Sequence, residues 1–165
     1  MSDIVPENAS VYAARYQLRL GKSLGSGIDG TVLVAENKIK HTRSAIKALK
    51  LLAPYVRERN VYVRLREAGI TQVLGFHVPQ LIWSDDDLRV IEMTIVVRPF
   101  VLDFAGARLD APPSFSDETW AEWEAEKREQ FGARWETVRA VMDVFEALHI
   151  YLVDVSPGNI GFREP

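Results

Sequence analysis

Cysteine is absent from this chain. That excludes disulfides and thiolate metal sites, and it fits a reducing compartment, so a cytoplasmic protein is expected. Histidine is scarce. His41, His77 and His149 are scattered, none has a helical i, i+4 partner, and no histidine metal site is expected. Long apolar runs are missing as well: nothing approaches the roughly 20 residues that a bilayer span needs. The opening segment MSDIVPENAS has neither the basic nor the apolar region of a signal peptide. No membrane partner is expected. Neither sign of charge dominates, with 20 Lys and Arg against 23 Asp and Glu for a net −3. That balance gives no electrostatic footing for nucleic acid.

The 165 residues are 47% hydrophobic and 26% charged, which suits one globular domain, or one lobe and part of a second, with a real core. Residues 1–11 read as a flexible lead-in. YQLRL alternates like a half-buried strand, TVLVAE and SAIKALK follow as strands, and the first two flank a glycine-rich turn. APYVRERNVYVRLREAG reads as a helix, with Pro54 in its first turn and Gly69 just past its end. Val56, Val63 and Leu65 form its apolar face and its arginines a solvated one. VPQLIW reads as a short strand, and LRVIEMTIV and PFVLDF as a strand pair joined near Arg98 and Pro99. LDAPPSFSD is a loop that offers a helix cap near Ser116 and Asp117. From there to His149 the chain reads as helix, broken at Gly132, with Trp120, Trp123, Trp135, Val138, Met142 and Phe145 at core spacing. The order predicts an α+β fold: an antiparallel sheet with one helix, then a helical part.

Three stretches carry chemistry. Gly25, Gly27 and Gly30 form GxGxxG with Val32 two places on. A dinucleotide fold needs a helix after such glycines, and here they join two strands. A glycine hairpin lets backbone N–H groups approach a nucleotide's phosphates; the alternative is a tight hairpin with no ligand. Lys47 lies mid-strand among apolar neighbours, seventeen residues past Gly30. A buried lysine is costly unless paired, and a phosphate and the carboxylate of Glu58 on the following helix are the two available anions. The alternative is a lysine that snorkels to the surface. In DVSPGNI, Asn159 stands five positions after Asp154, and alone this reads as an Asx or Pro-Gly turn.

Taken in order, these residues resemble the protein-kinase family: glycine-rich loop, A-x-K lysine, helix glutamate and a catalytic-loop-like Asp154 and Asn159. The resemblance runs over roughly residues 18 to 162. It implies a small lobe over residues 12–109 and a truncated helical large lobe over 110–165, ending at the catalytic-loop-like segment. It also implies ATP held by Gly25, Ser26, Gly27, Gly30, Val32, Ala45 and Lys47, with Asp103, Phe104 and Ala105 of VLDFAGARL as the hinge that contacts the base; VIEMTIV just upstream can also be aligned as the hinge. Lys47 and Glu58 would pair over the phosphates, Asp154 would serve as base, and Asn159 would hold Mg²⁺. The SPGN wording is also similar to small-molecule kinases of the aminoglycoside-phosphotransferase type, although their glycine loop is usually less regular.

The sequence departs from the family pattern in two places. Leu152 and Val153 stand where the family has His and Arg. No DFG aspartate follows Asn159 in IGFREP, which predicts weakened Mg²⁺ binding. Two functions are therefore expected as alternatives. One is a minimal kinase acting on Ser or Thr of a protein substrate. The other is a pseudokinase that regulates a protein partner. A truncated large lobe further predicts self-association through its exposed apolar surface.

Overall fold

The computed structural model describes residues 5–165. It contains helices α1 Glu7–Arg15, α2 Leu52–Glu67, α3 Asp117–Phe131 and α4 Trp135–Ala147. The strands are β1 Leu18–Ser26, β2 Gly30–Asn37, β3 Arg43–Leu49, β4 Gln72–Val73, β5 Phe76–His77, β6 Leu81–Asp85, β7 Val90–Met93, β8 Phe100–Val101, β9 Arg108–Leu109, β10 Ile150–Tyr151 and β11 Ile160–Gly161. The fold is α+β with an antiparallel five-stranded sheet, as the element order led one to expect.

The chain divides into two compact units. The first takes the residues up to Glu67 together with Pro79–Ile95; the second takes Ala68–Val78 and Val96–Pro165. The boundary expected near residue 109 is thus replaced by two crossings of the chain. PFVLDF is the reason. Its strand β8 does not extend the large sheet but pairs with β5 and β11 in the second unit. A strand of only two residues carries too little pattern to name its partners in advance.

In the first unit the strand order is β1-β2-β3-β7-β6. Helix α1 replaces the expected flexible lead-in, of which residues 1–4 lie outside the described residues. Ala9, Tyr12, Ala13 and Tyr16 recur at i, i+3, i+4 and i+7, a helical period. The first three are buried against Leu33, Ala35, Ile46, Ala48 and Val90. Polar contacts fix the helix in place. The Tyr12 hydroxyl and the Ser44 hydroxyl each donate to the buried Glu92 carboxylate at 2.7 Å. Arg15 and the Tyr16 hydroxyl both reach Asp85.

Helix α2 covers the opposite face. Pro54 lies in its first turn, and Gly69 follows its end at φ +69°. Its buried apolar residues are Tyr55, Val61, Tyr62 and Leu65, whereas Val56 and Val63, expected on that face, are half-buried. The Tyr62 hydroxyl donates to the Met93 sulfur at 3.2 Å.

In the second unit, Ser116 caps α3 by accepting from the Thr119 N–H at 3.1 Å. The chain leaves α3 at Gly132, where φ is +56°, passes one 3-10 turn and enters α4. Trp135, Val138, Met142 and Phe145 are buried on α4, while Trp120 and Trp123 on α3 are only half-buried. No helix among the described residues is long and apolar enough to cross a membrane.

Candidate functional site

The glycines sit in the β1–β2 hairpin, with Gly25 opposite Val32 and Ser26 opposite Thr31. The Gly27 N–H closes the turn on the Gly30 carbonyl at 2.9 Å. The three glycines have different reasons to be glycine. A Cβ on Gly25 or Gly27 would meet nothing within 4 Å, so those positions leave an open, exposed backbone. A Cβ on Gly30 would stand 2.5 Å from the Ala48 carbonyl oxygen, so this glycine is required by the close approach of β3. The Lys50 N–H bonds to the Asp29 carbonyl at 3.0 Å and ties the hairpin to the end of β3.

Lys47 is the cross-strand partner of Val32, and Ala45, two residues away on β3, faces the same way. Lys47 is 7% exposed and Glu58 2%. The Lys47 ammonium meets Glu58 Oε1 at 2.7 Å. Neither charge would tolerate that burial alone, since an isolated ion loses several kcal/mol of hydration. Their pairing makes a fixed, dry ammonium beneath the β2–β3 ladder and close to the glycine hairpin in sequence register. Ile91 and Met93 on β7 share this face, because Lys47 pairs with Ile91 and Ala45 with Met93. Sequence reasoning did not single them out, although the alternation in VIEM carries the signal.

Asp103, Phe104 and Ala105 are placed differently from the expected hinge. They follow β8 in the second unit, whereas the segment leaving β7 is residues 94–97. Asp103 Oδ1 accepts from the Ala105 N–H at 2.8 Å, and the Phe104 carbonyl accepts from the Ala107 N–H at 3.1 Å. The Phe104 ring is buried with its centroid 5.7 Å from that of Phe145. These residues form a turn anchored by an aromatic side chain.

Asp154 and Asn159 bound a loop between β10 and β11 in the second unit. The Asn159 side-chain N–H donates to the Asp154 carbonyl at 3.0 Å, which fixes the loop's width and leaves Asn159 Oδ1 as an acceptor. The N–H groups of Asn159 and Ile160 both bond to the Ser156 carbonyl, so Pro157 and Gly158 form the tip of a tight turn. Leu152, Val155 and Ile160 are buried, while Asp154 is exposed. Beyond the loop, Gly161 is pressed to the Phe100 ring, where a Cβ would come within 2.7 Å. The loop is thus held at both ends and presents a carboxylate and an amide oxygen.

Each compact unit therefore carries its own group. Gly25 to Gly30, Val32, Ala45, Lys47 and Glu58 belong to the first unit; Asp154 and Asn159 belong to the second. The first group fits a nucleotide's phosphates: an open glycine backbone and a rigid, desolvated ammonium. The second offers one carboxylate, Asp154, and one amide oxygen, Asn159, where Mg²⁺ is usually held by one or two carboxylates together with substrate phosphates. Among the described residues no three His, Asp or Glu side chains cluster as a metal cage. Compared with protein-family models, curated proteins and solved structures, the chain has no match.

Proposed function

We propose that this chain is a protein kinase-like ATP-binding protein that transfers a phosphoryl group to the Ser or Thr hydroxyl of a protein substrate. The buried Lys47–Glu58 ion pair carries the reading. A mid-strand lysine held by a helix carboxylate costs more than an apolar pair of the same size, so its presence calls for a use. The use that fits is a fixed positive charge for phosphate oxygens, with the Gly25–Gly30 backbone covering them and Val32 and Ala45 supplying apolar surface for the base.

In the reaction, the substrate hydroxyl oxygen bonds to the γ-phosphorus as the β–γ bridging bond breaks, and ADP leaves with the electron pair. Asp154 takes the hydroxyl proton. Asn159, tied to the Asp154 carbonyl, sets the loop's shape, and its Oδ1 would be the protein oxygen that holds Mg²⁺. When bound, Mg²⁺ neutralises phosphate charge.

ATP titration by calorimetry, with and without Mg²⁺, tests the site. Wild type binds and Lys47→Met does not; binding that survives this substitution removes the assignment. Transfer of labelled phosphate then tests the reaction, with Asp154→Asn as control. ATP binding without any transfer would favour a regulatory pseudokinase over an enzyme.

A further inference from the structure

The sheet face that carries Lys47 continues to its other end. On β3, residues 43, 45 and 47 share that face, and on β2 residues 32, 34 and 36 do, because Glu36 pairs with Arg43, Val34 with Ala45 and Val32 with Lys47. Arg43 therefore stands about 13 Å from Lys47 along the strand, at ~3.3 Å per residue. At that end there is a recess of about 360 Å³, lined by Arg19, Gly21, Lys22, Val34, Glu36 and Arg43, with Leu20 between them.

The recess is asymmetric in charge. Three cations face one carboxylate. Arg19 and Glu36 are already paired at 2.8 Å, which braces the guanidinium and quiets the one carboxylate among the described lining residues. The side chains of Lys22 and Arg43 have no carboxylate partner among the described residues. Two uncompensated positive charges thus converge on a small volume, in a chain whose net charge is −3. The floor is apolar. Val34 forms it, and Gly21 keeps it open, since a Cβ there would touch Val34 at 3.4 Å.

We propose that this recess is a binding site for a small phosphomonoester, separate from the Lys47 site. A phosphomonoester carries about −1.5 to −2 charges near neutral pH, which matches the two unpartnered cations. Arg43 offers the planar fork that bonds two phosphate oxygens at once, and Lys22 adds a mobile point charge. The organic body lies on Val34. A volume of this size holds a small ligand and not a helix or a strand. The inference does not rest on the kinase reading, because it uses none of that site's side chains.

Phenyl phosphate is the probe, titrated into the full chain with backbone amide shifts followed by NMR. Saturable shifts at Gly21, Lys22, Val34 and Arg43 are expected, with inorganic phosphate binding more weakly for want of an organic body. Lys22→Gln with Arg43→Gln is expected to weaken phenyl phosphate by about tenfold or more, the loss of charge-assisted hydrogen bonds. Both side chains are exposed, so the unchanged remainder of the spectrum reports that the fold is kept. Lys47→Met with Glu58→Leu, which removes both charges of the other site, is expected to leave this affinity alone. The proposal is overturned by no saturable shift at millimolar probe, by equal affinity for inorganic phosphate, by full affinity in the double variant, or by shifts confined to Gly25–Gly30 and Lys47.

Discussion

Tyr12 and Glu92 are 80 positions apart in the chain, yet the tyrosine hydroxyl donates to the glutamate carboxylate at 2.7 Å in the interior of the first unit. Burial, and then the Glu92 hydrogen bond, hold the Tyr12 hydroxyl well above its ordinary range. It therefore stays a donor throughout the working pH range. Tyr12→Phe keeps the ring and removes the donor, leaving the buried carboxylate with the Ser44 hydroxyl as a donor. A loss of about 1–3 kcal/mol is expected in urea denaturation, the cost of depriving a buried acceptor. A variant as stable as wild type would show that the Tyr12–Glu92 bond does not help to hold α1.

Asp85 makes stability depend on acid. Burial raises its carboxyl, but the Leu88 N–H, the Tyr16 hydroxyl and Arg15 outweigh this and hold it below the ordinary value. Its folded pKa thus lies below its unfolded one. The stability it contributes is complete above the unfolded value of about 4 and is lost as pH falls through the folded value. Asp86 acts in the same direction through the Tyr55 hydroxyl and then Arg59, while burial and then Asp86 push Tyr55 up to about 12. Thermal melts below pH 5 should therefore show a steeper loss in wild type than in Asp85→Asn. Parallel curves would remove Asp85 from the account.

The glycines of the hairpin separate structure from binding. Gly30→Ala places a Cβ against the Ala48 carbonyl oxygen, so a loss of about 1–3 kcal/mol in stability is expected. Gly25→Ala and Gly27→Ala meet open space and should leave stability nearly unchanged. On the proposed function they still weaken ATP, because their Cβ atoms keep the backbone from the phosphates. Calorimetric titration alongside denaturation distinguishes the two effects.

For the ion pair, Lys47→Met alone takes the ammonium away from the buried Glu58 carboxylate and is expected to cost about 3–5 kcal/mol. Lys47→Met with Glu58→Leu removes both charges and should recover most of that stability without recovering ATP binding. Recovery of ATP binding in the double variant would show that the ammonium is not what holds the nucleotide.

Much of the first unit was legible before the structure. The alternation in TVLVAE and SAIKALK located β2 and β3, and Pro54 and Gly69 bracketed α2. The cost of burying a lysine was enough to pair Lys47 with Glu58. Other features went unread. The i, i+3, i+4 spacing of Ala9, Tyr12 and Ala13 announced α1, but it was masked by the alternation of YQLRL just downstream. The Arg19, Lys22 and Arg43 recess gave no signal, because its residues come from three strands and converge only through register.

The sequence by itself determined which segments are helix and which are strand wherever a period lasts for several residues, and it determined which charges must be paired because desolvation is costly anywhere in a core. Tertiary structure alone decided the allegiance of β8, the placement of Asp103 to Ala105 in the second unit, and the Tyr12–Glu92 bond. Each of these is a choice of partner for a short segment. A two-residue strand or a single hydroxyl has too few neighbours in sequence to favour one partner, and the choice is made by what the rest of the fold brings within hydrogen-bonding reach.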